Sequence, residues 1–279
     1  MTEFEKLILE KEQLFEDVLN AFQTSSENAS EELYLIIQDI LNQVSDKGKL
    51  KWNTKTVNAL SNIDYMLNKA FDKTDYKTLV NGFIRDFDAL VQINSNLQKS
   101  LNNIDIKTKS FYDYAEKQSE FVKANLLKNI AETPQFGNKL KDILLNAAVS
   151  NQSLSTTTKQ VGDFLGTGKN ADQLTKYTLQ VTRDALRQFD GQLNANILVS
   201  YNLNAIRYVG SLVKDSRPQC VRWVGMEIIP VSELQKEINW AYKYGAGMIP
   251  NTTPNNFNVY RGGFSCNHIS IPTNIKINK

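Results

Sequence analysis

Cysteine and histidine are almost missing from this 279-residue chain, which contains two cysteines and one histidine. Two cysteines cannot build a disulfide framework, so we expect a protein that is made and used in a reducing cytoplasm. All three residues lie between Cys220 and His268. Any chemistry that depends on a thiol or an imidazole is therefore confined to this stretch.

Proline and long apolar runs are scarce as well. Five of the six prolines follow residue 217. Because proline breaks helix interiors, the first two-thirds of the chain is free to be helical and the last part should be rich in loops and turns. No apolar run reaches the roughly 18 residues of a transmembrane helix, and the acidic start does not resemble a signal peptide.

A large charge of one sign is also lacking, since the net charge is only +2. This value predicts neither a nucleic acid nor an anionic membrane as partner. Residues 201–279 carry nine Lys and Arg against four Asp and Glu, a net of +5. That excess suits a phosphate partner and a solvated surface equally well. A hydrophobic content of 41% is ordinary for a soluble globular protein.

What the sequence does contain is helical periodicity. Apolar residues recur at i, i+3, i+4 and i+7 before residue 45, which predicts an amphipathic helix with Ser30 as its N-cap and Glu31 and Glu32 in its first turn. A separate helix is predicted over 4–22. Further helices are predicted over 57–71, 83–101, 111–127, 140–147 and 171–203.

The C-terminal part has a different pattern. Alternating β-branched and aromatic residues predict a strand over 206–213, and a second strand over 264–271 should end at Pro272. A short helix over 232–244 has Ser232 in a capping position. The sequence Gly166-Thr167-Gly168-Lys169 lacks the spacing of a phosphate loop, so Gly166 is predicted to end a helix. The fold class is α+β, with a helical N-terminal two-thirds and a small mixed C-terminal region holding a short antiparallel sheet.

A set of spaced residues in the C-terminal part forms a recognisable pattern. In order, the residues are Asp215, Arg217, Cys220, Gly225, Gly262, Gly263, Phe264, Cys266, His268 and Pro272, with Thr182-Arg183 upstream. Over about residues 150–275, this order resembles the phage minor head proteins, also called the Mu F-like head-morphogenesis family. The chain departs from the family by having one cysteine at the first position and a final histidine, so a four-cysteine metal site does not carry over intact.

The resemblance implies a role in a virus particle. It implies a non-enzymatic minor capsid protein that associates with the portal and the capsid interior during head assembly, with scaffold or packaged DNA as further candidate partners. Such a protein would be made in the host cytoplasm and belong to a multi-copy assembly in the virion. On this basis residues 131–279 are predicted to be the minor-head domain, and 1–130 a helical adaptor.

The cysteines and histidine admit three interpretations. Cys220, Cys266 and His268 could hold a structural zinc ion, with Asp215 as fourth ligand. The two cysteines could instead form a disulfide once the particle leaves the cell. They could also be buried packing residues, with His268 hydrogen-bonded beside a strand.

Asp215 and Arg217 allow two roles. The forked donors of Arg217 could bind a phosphate or a carboxylate of a partner. In the other interpretation, which we favour, Asp215 caps a turn and Arg217 pairs within the domain, with Arg183 as a neighbour of the loop.

Two further functions compete with the assembly role. A cysteine hydrolase would use Cys220 or Cys266 as nucleophile, His268 as base and Asn267 or Asp215 as orienting group, but no helix is evident after Cys220 to lower a thiol pKa. A small metal-stabilised module that binds nucleic acid is the other alternative, supported by the basic C-terminal part and Tyr260.

The first helix is the candidate for partner binding. An amphipathic helix can offer its apolar stripe to a groove on another protein, and a terminal helix is the easiest to dock. We therefore predict that Phe4, Leu7, Phe15 and Phe22 face a partner.

Overall fold

The computed structural model describes residues 1–166, 173–263 and 266–275. It confirms the α+β class, because helices fill the N-terminal region and a small antiparallel sheet lies in the C-terminal region. The chain divides into two compact units. Unit 1 comprises Met1–Leu14, Arg85–Gln118 and Asp184 onward, and unit 2 comprises Phe15–Ile84 and Ser119–Arg183. The predicted domains, which meet at residue 130, do not coincide with these interleaved units.

The helices are mostly those that the periodicity predicts. Up to residue 102 they are α1 (Glu3–Val44), α2 (Thr54–Ser61), α3 (Ile63–Asp72), α4 (Tyr76–Asn81) and α5 (Ile84–Asn102). Then follow α6 (Lys109–Lys123), α7 (Gly137–Val149), α8 (Leu154–Leu165) and α9 (Gln173–Ser200). Short π and 3-10 turns cover Ala124–Lys128 and Ile130–Glu132. The C-terminal helices are α10 (Pro218–Met226), α11 (Leu234–Tyr244) and α12 (Phe257–Tyr260).

The first helix is longer than the sequence suggests. The two helices predicted before residue 45 form the single helix α1, and Ser30 lies buried inside it. The N-cap prediction for Ser30 is therefore wrong. Polar residues do not end the helix here because their hydroxyls find internal acceptors: Ser26 Oγ donates to the Phe22 carbonyl at 2.6 Å, four residues earlier.

Caps define the shorter helices of unit 2. The side chain of Asn62 accepts a hydrogen bond from the amide of Tyr65, so it begins α3 and splits the predicted helix 57–71 in two. Gly166 adopts φ +69° and ends α8, which confirms its predicted role. The rest of the sequence that resembles a phosphate loop lies outside the described residues.

The antiparallel sheet of unit 1 has the order β4-β3-β5, formed by β3 (Ala205–Val209), β4 (Ile228–Pro230) and β5 (Ile269–Thr273). A separate two-stranded hairpin in unit 2 pairs β1 (Ser45–Asp46) with β2 (Lys49–Leu50). The central strand β3 pairs with β5 so that Tyr208 lies opposite Ser270.

Pro272 does not end the second strand of this sheet, contrary to prediction. It lies within β5, opposite Ile206. A proline is tolerated there because β5 is an edge strand of the three. Its carbonyl accepts amide hydrogens from Gln98 and Asn102 of α5, each at 3.1 Å, so the helix supplies donors beside that strand.

The segment between β3 and β4 contains a helix that the sequence did not reveal. Pro218 occupies the first turn of α10, a position that suits proline because its missing amide would have no helical acceptor. Cys220 therefore lies in the first turn of a helix. The predicted short helix over 232–244 begins instead with a 3-10 turn, Val231–Glu233, without a side-chain cap at Glu233.

The start of α1 belongs to the core of unit 1. Leu7 packs with Ile93, Leu97, Ile269 and Ile271, and the half-buried Phe4 joins the same cluster. The Arg207 guanidinium lies 5.3 Å from the centre of the Phe4 ring. These side chains therefore stabilise the chain's own fold.

The middle of α1 belongs to the core of unit 2. Phe15 and Phe22 are buried there, and the Phe22 ring meets the Phe83 ring edge-on at 5.4 Å. The prediction that Phe4, Leu7, Phe15 and Phe22 face a partner is thus wrong for Leu7, Phe15 and Phe22, which are buried, while Phe4 is half-buried against the core of unit 1. Within the described residues, no helix combines the length and the apolar character needed to cross a membrane.

A buried ion pair also fixes the start of α1 in unit 1. The Lys11 ammonium contacts the Asp190 carboxylate of α9, and neither side chain is exposed to solvent. Lys11 also donates to the Asn94 side chain at 2.9 Å. Arg261 lies 3.5 Å from the same carboxylate. Burial lowers the pKa of Lys11, and the Asp190 charge works against that shift.

Candidate functional site

The three residues that the composition singles out do come together. The sulfur atoms of Cys220 and Cys266 are 3.9 Å apart, and Cys266 Sγ lies 3.6 Å from His268 Nδ1. The three ligand atoms all lie within 4.8 Å of one another. Each residue is less than one-tenth exposed, so the cluster is buried.

Two pieces of unit 1 carry this cluster. Cys220 projects from the first turn of α10, while Cys266 and His268 precede β5. The Arg187 guanidinium donates to the Cys266 carbonyl, and Arg261 donates to the His268 carbonyl at 3.2 Å. These contacts to the main chain hold the segment that carries two of the three ligands.

Tyr208, on the central strand β3, lies at the middle of the cluster. Its hydroxyl is 3.3 Å from Cys266 Sγ and 3.7 Å from Cys220 Sγ. Its ring stacks on the His268 ring, with centroids 5.3 Å apart and planes 16° apart. The Trp223 ring meets the Tyr208 ring edge-on, with centroids 5.4 Å apart. Tyr208 thus links all three candidate ligands to an aromatic core.

Gly262 allows the main chain to approach the sulfur atoms. A Cβ at this position would lie 2.5 Å from Cys220 Sγ, 2.7 Å from Cys266 Sγ and 2.9 Å from the Tyr208 hydroxyl, all shorter than van der Waals contact. Gly263 adopts φ +100°, and a Cβ there would meet the Gly247 carbonyl oxygen at 1.9 Å. The two consecutive glycines are therefore required by close packing around the cluster.

Arg217 and Gln219, at the start of α10, both bind the carbonyl of Gly262. Arg217 donates to the Gly262 carbonyl at 2.8 Å, and Gln219 donates to it at 3.0 Å. Gln219 also exchanges hydrogen bonds with both main-chain groups of Ala246. These contacts give Arg217 a role inside the unit, as the favoured interpretation of the sequence holds, although the group it binds here is a carbonyl.

The thiols share their protons unequally. Hydrogen bonding from the Cys220 thiol holds the pKa of Cys266 well below its usual range, with further donation from His268 and Tyr208. Donation to Cys266 and burial together raise the pKa of Cys220. Burial raises the pKa of Tyr208 well above that of a free phenol. Both shifts have the contact between the two sulfurs as their largest cause, so they belong to the pair of thiols.

Two of the three separations between the candidate ligands match those of a tetrahedral zinc ion. Tetrahedral zinc with Zn–S bonds of about 2.3 Å and Zn–N bonds of about 2.0 Å places two sulfurs about 3.8 Å apart and sulfur and nitrogen about 3.5 Å apart. The observed separations are 3.9 Å between the two sulfurs and 3.6 Å between Cys266 Sγ and His268 Nδ1, while Cys220 Sγ and the His268 ring lie within 4.8 Å of each other. Cys220, Cys266 and His268 would hold the ion, and the Tyr208 oxygen is near enough to both sulfurs to complete the set.

A disulfide requires a closer approach than the one observed. Both cysteines are free thiols, and their separation of 3.9 Å compares with about 2.05 Å in a bonded pair. His268 Nε2 is buried without a hydrogen-bond partner among the described residues. This is not the nitrogen that faces Cys266 Sγ, so its missing partner does not distinguish metal binding from packing.

Other residues of the sequence pattern lie away from the cluster. Asp215 is exposed in the turn before α10 and is not among the clustered ligands, which corrects its assignment as fourth ligand. At Gly225 a Cβ would meet no described atom within 4 Å, so packing does not require glycine there. Arg183 is half-buried on α9, and its proposed link to the loop stays a prediction. Phe264 lies outside the described residues.

One feature of the structure favours the hydrolase alternative, and others argue against it. Cys220 does lie at a helix N-terminus, which the sequence did not suggest, but the Cys220 thiol is 3% exposed and its pKa is raised. Beside Cys266, a cleft lined by Arg187, Tyr260 and Arg261 has a volume of about 120 Å³. Ligand pockets usually measure about 300–1,000 Å³. The arrangement therefore suits metal binding better than turnover of a substrate.

Comparison with known proteins identifies no family for this chain. No family model matches the chain, and neither a curated protein nor a solved structure matches it.

Sequence reasoning missed three residues that hold the site together, namely Tyr208, Gln219 and Arg261. Tyr208 was assigned only to a strand, because nothing local links a strand residue to cysteines 12 and 58 positions away. The position of Gln219, next to Cys220 in the pattern, was the available signal for its role.

Proposed function

We propose that this chain is a phage minor capsid protein that acts in head morphogenesis, without enzymatic activity. In this role it associates with portal and capsid proteins in the interior of the virion head, after synthesis in the host cytoplasm. Scaffold protein and packaged DNA are further candidate partners. It would work as one subunit type within a multi-copy assembly.

One observation carries the proposal. The spaced residues on which the family resemblance rests gather around one buried nucleus: Arg217, Cys220, Gly262, Cys266 and His268 all contact one another or Tyr208. Residues that share one structural nucleus are expected to recur together in a fold family. Their burial supports a folding module, since an enzyme must expose its reacting groups to a substrate.

Zinc at this nucleus is part of the proposal. The ion would be held by Cys220, Cys266 and His268, with Tyr208 as the fourth donor. It would tie α10 to the segment before β5. Structural zinc contributes folding free energy directly, because the unfolded chain lacks a preformed site.

The test of the assembly role uses the genome that encodes this chain. Particles purified from a wild-type infection should contain the chain at a fixed ratio to the portal protein, measured by quantitative mass spectrometry. Deleting the gene should reduce the yield of DNA-filled heads at least tenfold, and supplying the chain in trans should restore it. Heads of normal number and DNA content that lack the chain would contradict the proposal.

A further inference from the structure

Unit 2 carries a groove between the second half of α1 and the helix pair α2–α3. Its α1 wall presents Leu35, Ile36 and Ile40 together with the polar Asp39 and Gln43, and its opposite wall presents Lys55, Lys69 and Lys73. We refer to the cleft that these residues line as the α1–α3 groove. Its volume is about 550 Å³, within the range of about 300–1,000 Å³ in which proteins bind ligands.

One large apolar residue of the groove is exposed to solvent. Leu35 is 52% exposed, although the neighbouring positions of α1 are built into the core of unit 2. Tyr65, on the opposite wall, is 48% exposed. Large apolar side chains that line a groove together are a mark of an interaction site, whereas scattered ones are ordinary.

The dimensions of the groove suit a helix. Its lining residues on α1 run from Leu35 to Val44, which spans about 14 Å at 1.5 Å per residue. That length matches roughly two and a half turns of a second helix. Lining residues recur on both walls at intervals of three and four, so the walls are ridges of two helical layers.

The charge of the groove lining favours one kind of helical partner. Asp39 is the one carboxylate among the described lining residues, against three lysines. Glu32, beside the groove, pairs with Lys73 at 2.7 Å, and the lining remains net positive with this carboxylate counted. The Lys69 ammonium lies 5.0 Å from the centre of the ring of Tyr65, another lining residue. A ligand with carboxylates beside its apolar stripe would complement this surface.

We infer that the α1–α3 groove is a docking site for an amphipathic helix of another protein, with an apolar stripe flanked by Asp or Glu. Apolar contacts with Leu35 and Ile40 provide affinity, and Lys55 and Lys69 favour the acidic partner. This inference goes beyond the proposed role in the virion and does not depend on it.

The experiment uses two synthetic 15-residue helical peptides with the same leucine stripe, one flanked by glutamates and the other by lysines. Fluorescence anisotropy with the full chain should show binding of the glutamate peptide and at least tenfold weaker binding of the lysine peptide. The substitution Leu35→Glu should weaken the glutamate peptide at least tenfold. The matched control Val199→Glu changes a residue that is 79% exposed outside the groove, and it should have no effect.

A charge exchange makes the test specific. The double variant Lys55→Glu, Lys69→Glu should bind the lysine peptide more tightly than the glutamate peptide, with unchanged helicity by circular dichroism. Equal binding of both peptides, or binding of neither, would overturn the inference. So would a wild-type chain that sediments as a dimer and becomes a monomer on Leu35→Glu, since the occupant would then be a second copy.

Discussion

The hydroxyl of Tyr208 lies 3.3 Å from the sulfur of Cys266, in a cluster where neither side chain is more than 8% exposed. A phenol in this position can donate to a thiolate or, once deprotonated, bind a metal ion beside it. The same contact joins the central strand of the sheet to the segment before β5. Tyr208 is therefore the residue on which the metal hypothesis and the packing hypothesis give different expectations.

The substitution Tyr208→Phe tests whether the phenol is the fourth zinc ligand. If the phenol oxygen is the fourth zinc ligand, its loss should weaken zinc binding at least tenfold, or about 1.4 kcal/mol, while the ring keeps its stacking on His268. Competition with a chromophoric chelator measures the affinity, and Cys266→Ser provides the reference for a lost ligand. Unchanged zinc affinity in Tyr208→Phe would assign the fourth position to another donor.

A wild-type chain without zinc would refute the metal site itself. Native mass spectrometry of the purified protein, before and after chelation, gives that result directly. A mass lower by two hydrogens would then indicate a disulfide between Cys220 and Cys266, and an unchanged mass would leave the three residues as packing. With zinc bound at 100 times its dissociation constant, chelation should remove about 2.7 kcal/mol of stability.

Two glycines of the motif should respond to alanine in opposite directions. Gly262→Ala introduces a Cβ at 2.5 Å from Cys220 Sγ, so it should destabilise the protein by about 1–3 kcal/mol through overpacking. Gly225→Ala has open space and helical main chain in α10, so it should stabilise by roughly 0.5–1 kcal/mol. Urea unfolding at equilibrium measures both changes. A neutral Gly262→Ala would mean that the sulfur cluster can move aside at little cost.

The helices were predictable because their signal is local. Apolar residues at a period of 3.6 mark the buried face of a helix wherever it packs. The breaks between helices were less predictable. Residues 23–31 are polar and resemble a linker, yet α1 continues through them, because Ser25 donates to Asp75 and Ser26 to a carbonyl of the preceding turn. Only the tertiary fold supplies the first of these acceptors.

The site was predictable in composition and not in geometry. The concentration of Cys220, Cys266 and His268 in one stretch singled out three residues that do meet. Asp215 was chosen as fourth ligand on chemical type alone, and its exposure depends on where the chain turns before α10. Tyr208 enters the cluster through the pairing of β3 with β5, a contact across more than 60 residues that no local pattern encodes.

Leu7, near the start of α1, should behave as a core residue when it is shortened. Leu7→Ala removes a side chain that is 6% exposed and packed on Ile269 and Ile271, so it should destabilise by about 2–4 kcal/mol. Leu9→Ala, two residues on, changes a side chain that is 51% exposed and should stay within about 0.5 kcal/mol of the wild type. Thermal unfolding followed by circular dichroism compares the two. Equal effects would show that this helix is not docked in unit 1 in solution.

Asp86, in the first turn of α5, should make stability depend on pH in the opposite sense to most carboxylates. Burial raises its pKa to about 6 from an ordinary value of 3.8, against the lowering effect of Arg85. The folded state therefore prefers the protonated acid. The stability that this group contributes is present below about pH 4 and is lost as the pH rises through 6.

The substitution Asp86→Asn tests this sign, because the amide stays neutral at every pH. Relative to the wild type, the variant should gain stability as the pH rises from 4 to 6, and the difference should be constant above about pH 7. Urea unfolding at half-unit steps of pH measures it. Asp113→Asn, at an exposed position of α6, serves as the control for removing one negative charge. A difference that shrinks with rising pH would mean that the folded state stabilises the Asp86 carboxylate, by the helix dipole or by Arg85, more than burial penalises it.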